Sequence, residues 1–276
     1  MALVADKIGY TYGVGTRYES VALRGVSLTL GPGDLVVVVG STGSGKSTLL
    51  RLLAGLLEPT SGVVTVDGIA PGDRSIRGRV GMVFQNPESQ FFAESVLDDV
   101  AFGPRNLGHE DPHAAASTAL VSVGLDPATF GGRSPFTLSG GEARRVAVAG
   151  VIALDPTYLL LDEPTAGLDR RGRDAVFDAI VRVRSTAGVL VVTHDPDQFF
   201  AHADRMIALS DGIQAFAGTP GDVVSGPGPY LSAGLKLPDV VVAQLLARER
   251  GAALETIQLD PVAAGRALAE ARRRSA

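Results

Sequence analysis

The chain contains no cysteine. That absence excludes a disulfide framework and thiolate chemistry, and it suits a reducing cytoplasm. No apolar run approaches the roughly 18 residues that a membrane-spanning helix needs, and the valine run Val36–Val39 is far too short. The opening residues Met1–Asp6 lack the basic start and apolar stretch of a secretory signal, so none is expected. Positive charge is also in short supply. Twenty-five Lys and Arg face 30 Asp and Glu, a net charge of −5 that argues against a general nucleic-acid surface. The tract Arg272-Arg273-Arg274 is a local exception and reads as a solvated, frayed terminus. No internal repeat is visible. What is present is ample for a core: 276 residues, 45% of them hydrophobic, enough for one large α/β domain and an appendage.

The most informative stretch is Gly40-Ser41-Thr42-Gly43-Ser44-Gly45-Lys46-Ser47, which matches the phosphate-binding pattern G-x-x-x-x-G-K-[ST] at every fixed position. Asp34–Val39 before it reads as a buried strand, and Thr48–Ala54 after it reads as a helix. A glycine-rich turn between strand and helix aims backbone N–H groups and a helix N-terminus at one point, where an anion is stabilised. Lys46 adds a charge for the β- and γ-phosphates, and the Ser47 hydroxyl suits Mg²⁺. The pattern predicts a nucleoside triphosphate as ligand.

Ahead of this loop, β-rich segments around Tyr10–Tyr12 and Val26–Leu30, with turns at Gly13–Gly15 and Gly31–Gly33, predict an antiparallel layer, joined by a strand over Gly62–Asp67. Behind it, Val80–Phe84 reads as a short core strand ending at Gln85. Residues 87 to 156 carry more helical pattern, with helices over Pro112–Val123 and Glu142–Leu154. Thr157–Leu161 and Val189–Thr193 are further apolar strands, and Asp174–Arg184 has helical spacing. Apolar strands separated by helices argue a parallel sheet with helices on both faces. Three of these strands stop in polar residues: the phosphate loop, Asp162-Glu163 and Thr193-His194. Open parallel sheets bind ligands at that edge, so one site is expected there. After Thr219 the composition shifts. Gly226–Pro229 reads as a hinge or loop, and Leu237–Arg250 and Val262–Arg274 as helices of a small appendage.

Asp162 ends a strand downstream of the phosphate loop, the place for a second Mg²⁺-associated carboxylate. Glu163 projects differently and is placed to polarise a water. Leu138-Ser139-Gly140-Gly141-Glu142 opens a helix with Ser139 as N-cap, a second anion-binding helix end in the same chain.

In this order the motifs resemble those of the nucleotide-binding ATPase subunits of ABC transporters: phosphate loop, Gln85 at a strand end, Leu138–Glu142 as signature, Asp162-Glu163, Ala166–Asp169 as D-loop and His194 as switch histidine. The resemblance covers residues 5–217. More local text is similar to the ATPases of energy-coupling factor (ECF) transporters: Phe84–Phe92, Val100–Pro104, Asn106–Gly108, Arg144–Gly150, Thr165–Asp169 and Gly234–Pro238. The signature departs from the common form by ending in Glu142 instead of glutamine, and Arg170 stands where proline is frequent.

The resemblance implies a P-loop NTPase fold with a RecA-like parallel-sheet core, an antiparallel β layer and a helical subdomain at about 87–156. The ATPase domain would span 1–218 and a C-terminal helical appendage 219–276. It implies ATP and Mg²⁺ as ligands. Tyr12 would stack on adenine, with Tyr10 and Tyr18 nearby. Ser41, Gly43, Ser44, Gly45, Lys46, Ser47 and Thr48 would hold the phosphates, and Ser47, Gln85 and Asp162 would attend the metal. Glu163 would be general base, with Gln85, Lys46 and His194 completing the catalytic set. Ser139 and Gly141 would contact the γ-phosphate held by a second ATPase subunit, identical or related. Further partners would be a membrane scaffold and a substrate-binding membrane subunit that import a vitamin or a transition-metal ion, with the chain peripheral on the cytoplasmic face and no nucleic acid bound. Phe91 and Phe92 lie where such a scaffold would dock, or else in the core. Other ABC importers, and less readily a soluble ABC ATPase, are the alternative readings; the signature counts against a P-loop kinase.

Overall fold

The computed structural model describes residues 1–86 and 90–274. Its strands are β1 (Leu3–Tyr12), β2 (Ser20–Leu30), β3 (Leu35–Gly40), β4 (Ser61–Val66), β5 (Val80–Val83), β6 (Tyr158–Asp162), β7 (Gly188–Thr193), β8 (Arg205–Ser210) and β9 (Ile213–Gly218). Its helices are α1 (Lys46–Leu53), α2 (Val96–Leu107), α3 (Pro112–Ser122), α4 (Pro127–Phe130), α5 (Gly140–Ile152), α6 (Arg170–Arg184), α7 (Asp197–Phe200), α8 (Pro220–Ser225), α9 (Gly228–Ser232), α10 (Asp239–Glu249) and α11 (Pro261–Arg274).

A six-stranded sheet runs in the order β5-β6-β7-β3-β8-β9. All its neighbours are parallel except the β8–β9 hairpin. Every residue of β3, β6 and β7 is buried, which explains why these strands read as unbroken apolar runs instead of alternating ones. Successive side chains point to opposite faces. Leu35, Val37 and Val39 pack into one core with residues of α2, α3, α5 and α6, whereas Val36 and Val38 pack into a second core with α1 and the antiparallel sheet. That second sheet has the order β2-β1-β4. The expectation of helices on both faces therefore needs refining. One face is covered by helices, and the other by α1 together with the antiparallel layer.

Helix starts follow their caps. Asp169 Oδ1 accepts from the Gly172 amide at 2.7 Å, so α6 begins at Arg170, four residues before the expected start. Gly226–Pro229, expected as a hinge or loop, already contains the start of α9 at Gly228. Beyond residue 219, Val223, Tyr230, Ala233 and Val241 join the same core as the helical face of the large sheet. Gln244, fully buried, pins α10 to the segment before α11: its Nε2 donates to Gln258 O at 2.7 Å and its Oε1 accepts from Gln258 N at 2.8 Å. Helix α11 continues through Arg274, in line with the helix expected over Val262–Arg274, and Arg272 and Arg273 on its last described turn are exposed. No helix among the described residues is long and apolar enough to cross a membrane.

Candidate active site

Strands β6, β7 and β3 are neighbours and parallel, so their C-terminal ends lie side by side. The three polar strand ends expected to converge do so. A cleft of about 630 Å³ is lined by Tyr12, Gly43, Gly45, Lys46, Ser47, Thr48, Gln85, Asp162, Glu163 and His194. Ten sequence-predicted residues thus meet in one place.

The phosphate loop is shaped by glycine. Gly43 and Gly45 have φ of +84° and +99°, the left-handed region that side-chain-bearing residues avoid. A Cβ at Gly45 would stand 2.6 Å from Ala22 O, so the loop also needs the space. The amides of Gly43, Gly45, Lys46 and Ser47 donate to no acceptor among the described residues, which leaves a cradle of N–H groups at the start of α1. Lys46 Nζ donates to Gly40 O at 2.8 Å and Ser41 O at 2.9 Å, and so lies folded over the loop. Ser41 contributes that carbonyl but does not line the cleft. Ser44 is buried beneath the loop, its hydroxyl without a partner among the described residues.

Burial pulls the Lys46 pKa below its ordinary value, against the attraction of Glu163 and Asp162. Burial pushes the Asp162 carboxyl up, opposed by the Ser47 hydroxyl and reinforced by the charge of Glu163. The two buried carboxylates share the cleft with Lys46 and Arg144. Ser47 Oγ donates to Asp162 Oδ2 at 2.8 Å, and Gln85 lines the same cleft. Hydroxyl, carboxylate and amide oxygens are the donor set that fits Mg²⁺ beside a polyphosphate.

Glu163 is the most constrained residue of the site. Its φ of +52° is left-handed, an arrangement that costs roughly 1–3 kcal/mol and persists only where neighbours impose it. Its amide donates to Val192 O at 2.9 Å. Oε1 accepts from the His194 amide at 3.0 Å and faces His194 Nδ1 at 2.8 Å, and Oε2 lies 3.2 Å from Thr193 Oγ1. The Glu163 side chain is 11% exposed and that of His194 70%, so a sheltered carboxylate is held by a histidine that reaches into solvent. Nδ1 is the ring nitrogen turned to the carboxylate.

Tyr12 lines the cleft, its hydroxyl 3.2 Å from Thr48 Oγ1 and its ring edge-on to Tyr10. Tyr18 lies outside the lining, under the Arg17 guanidinium. Ser139 and Gly141 do not line the cleft either; they sit at the start of α5, where Ser139 Oγ caps the Glu142 amide at 3.3 Å. The adjacent phenylalanines divide. Phe91 is 9% exposed and belongs to the core, whereas Phe92 is 57% exposed and packs edge-on against the exposed ring of Phe102. Pro87, Glu88 and Ser89, part of the Phe84–Phe92 tract used for the subfamily reading, lie outside the described residues.

Sequence reasoning gave no site role to Arg144 or Asn86, and placed Thr193 only among the polar strand ends. Arg144 and Asn86 line the cleft, and Thr193 supports Glu163. Nothing in the local pattern separates Arg144 from Arg145, which points elsewhere, to Gly124 O at 3.0 Å.

Residues 23–166 match the family described as "ABC transporter". The Energy-coupling factor transporter ATP-binding protein EcfA2 of Symbiobacterium thermophilum is 44% identical, over 91% of this chain and 90% of its own length. The protein of the same name from Clostridioides difficile is 41% identical over 91% of each. Among solved structures, cbiO1 of Clostridium perfringens, described as part of an ABC transporter complex, aligns with a TM-score of 0.70 at 30% identity, covering 88% of this chain and 98% of that one. A dimeric ATP-binding cassette in a post-hydrolysis state, bound to ADP and Pi, aligns with a TM-score of 0.72 at 28% identity over 80% of this chain and 99% of its own. With the fold, the cleft and these likenesses in agreement, the chain belongs to the ABC transporter ATP-binding family and is an ABC-type ATPase of the energy-coupling factor group.

Proposed function

We propose that this cleft hydrolyses ATP with Glu163 as general base, and that the chain passes the resulting change of shape to an importer in the membrane. The observation that carries the reading is the convergence of the phosphate loop, Asp162-Glu163 and His194 on one cleft at the ends of three adjacent parallel strands. The loop amides and Lys46 hold the β- and γ-phosphates, with Ser41, Ser44 and Thr48 completing the loop's grip, and Tyr12 supports the adenine face. Glu163 takes a proton from a water whose oxygen attacks the γ-phosphorus, the bond to the β-phosphate breaks, and ADP leaves with its oxygen. Ser47, Gln85 and Asp162 would hold Mg²⁺, which would neutralise phosphate charge when bound. His194, already hydrogen-bonded to Glu163, presents its outer nitrogen to the γ-phosphate.

Ser139 and Gly141 stand away from their own chain's cleft at a helix start that suits an anion. This supports a head-to-tail pair in which each signature closes the other subunit's site, so that ATP favours the closed pair and hydrolysis releases it. A homodimer and a pair with a related ATPase both satisfy that arrangement. The remaining assembly is a membrane scaffold with a substrate-binding membrane subunit on the cytoplasmic face, carrying a vitamin or transition-metal ion, with residues 1–218 as motor and 219–276 as appendage. The Phe92–Phe102 pair is the surface offered to the scaffold.

The test is Glu163→Gln. ATP binding is retained, turnover falls by roughly 10²–10⁴-fold, the usual range for a general base, and the ATP-bound dimer lives longer in gel filtration. Normal turnover would falsify the assignment. For the partners, the expected result is co-purification with two integral membrane proteins and no separate soluble binding protein.

A further inference from the structure

We propose that Arg144 is a positioning residue that straps the signature helix of a chain to that chain's own general base and to its glutamine loop, the segment at Gln85. The proposal rests on the reading of Glu163 as base. It starts from a contact that no motif announces: one Arg144 guanidinium nitrogen donates to Glu163 O and the other to Gln85 O at 2.7 Å.

The two carbonyls are related by the sheet. β5 and β6 are parallel neighbours whose last registered pair is Val83 with Leu161, and Gln85 and Glu163 each stand two residues further on. The planar guanidinium therefore bridges equivalent positions on two adjacent strand ends, one leading to the proposed metal-site glutamine and the other being the base. A fork with several N–H groups in one plane makes such a bridge, and a lysine ammonium lacks that preorganised geometry.

Glu163 needs such support. Its left-handed φ of +52° is retained only if the surroundings over-determine it. The amide is fixed by Val192, the carboxylate by His194 and Thr193, and the carbonyl by Arg144 together with a longer turn bond from the Ala166 amide at 3.3 Å. Without Arg144, the peptide after Glu163 keeps only the local turn bond from the Ala166 amide and loses its tie to α5, and the carboxylate can shift against the attacking water.

The helix that delivers Arg144 adds the second consequence. Arg144 lies on the first turns of α5, whose N-terminus is the signature segment Ser139–Glu142. In the proposed dimer, that segment meets the other subunit's ATP. A movement of α5 on nucleotide arrival at one site is thereby transmitted, through Arg144, to the base and glutamine loop of the other.

The experiment compares Arg144→Ala, Arg144→Lys and, as a control for a merely structural arginine on the same helix, Arg145→Ala, each in the full-length chain. For Arg144→Ala the expectation is a kcat lower by about ten- to hundredfold, the scale of a base displaced by an ångström or less, with KM for ATP within about threefold of the parent. Arg144→Lys should recover only part of the loss. Arg145→Ala should lower the thermal midpoint without that kcat-specific loss. Parent-like kcat in Arg144→Ala, or a loss matched by Arg145→Ala at equal thermal shift, overturns the proposal. A double-mutant cycle with Glu163→Gln decides whether Arg144 acts through the base: Arg144→Ala should remove little more from the residual hydrolysis of Glu163→Gln, and an additive loss overturns the strap. Normal turnover of Glu163→Gln alone would remove the base reading and the strap with it. An inactive Glu163→Gln beside a fully active Arg144→Ala would remove the strap only.

Discussion

The two halves of the cleft are built in different ways. The phosphate-loop half is contiguous: Gly40–Ser47 supply the amides, the two left-handed glycines and the lysine, and the geometry is mostly backbone. The Glu163 half is assembled. Its carboxylate is held by Thr193 and His194, 30 and 31 residues away, and its carbonyl by Arg144, 19 residues away, with one local turn bond from the Ala166 amide. A backbone site is encoded where it stands, because glycine is chosen for conformations other residues avoid. A side-chain site is encoded by strand order, because only the adjacency of β6 and β7 brings Glu163 to His194. The loop half should therefore be broken by changes within eight residues, and the other half by changes far from Glu163 in sequence.

Within the loop half, Lys46→Ala has the largest expected effect. Charge-assisted hydrogen bonds contribute about 1.5–3 kcal/mol each, so ATP affinity should fall by roughly ten- to hundredfold in equilibrium titration. Unchanged affinity would remove Lys46 from the phosphate site and leave the glycine backbone as the only phosphate cradle.

Much of this contrast was legible in the sequence. The phosphate loop, the three buried strands and their polar ends were all visible as text, because a parallel strand buried on both faces is written as an unbroken apolar run. What covers each face was not. Nothing in Val36 or Val38 says that its neighbours are strands of a second sheet and not helices. The start of α6 was missed because Arg170-Arg171-Gly172-Arg173 carries no apolar periodicity, although Asp169 was available as its cap. Arg144 was hidden for a different reason. It and Arg145 are identical in sequence terms, and only the direction of each side chain from α5 separates a cleft residue from one bonded to the α3–α4 turn.

A sharper test of the backbone half compares two glycines. Gly43 and Gly45 are both left-handed, so alanine at either costs about 1–2 kcal/mol. A Cβ at Gly43 meets nothing within 4 Å, whereas at Gly45 it would stand 2.6 Å from Ala22 O and from a Leu23 methyl. Thermal melts without nucleotide should rank Gly45→Ala below Gly43→Ala, and both below the parent. Equal midpoints would mean that the loop relaxes freely away from β2, and that close packing there does not set its shape.

The smallest effect is expected at the signature, where Glu142 replaces the common glutamine. Glu142 Oε2 accepts from the Ser139 amide at 2.8 Å, closing a capping box, and Oε1 stands 3.4 Å from Arg133 Nη1. The Ser139 amide, first, and Arg133 hold its carboxyl below the usual carboxylate range. Glutamine can close the same box, so E142Q loses only the charge. That charge contributes about 0.3–1 kcal/mol at a helix N-terminus, and an exposed ion pair about 0–1. A depressed folded-state pKa adds stability that is present above the unfolded carboxylate value and disappears as pH falls through the folded one. The parent should therefore melt slightly above E142Q at neutral pH, and the gap should close below about pH 4. Hydrolysis should change by less than about threefold, because Ser139 and both glycines stay in place. A large gain in turnover would show instead that the Glu142 charge opposes the phosphate that Ser139 is proposed to meet. The signature would then join Glu163 as a region governed by side-chain charge, with backbone geometry secondary.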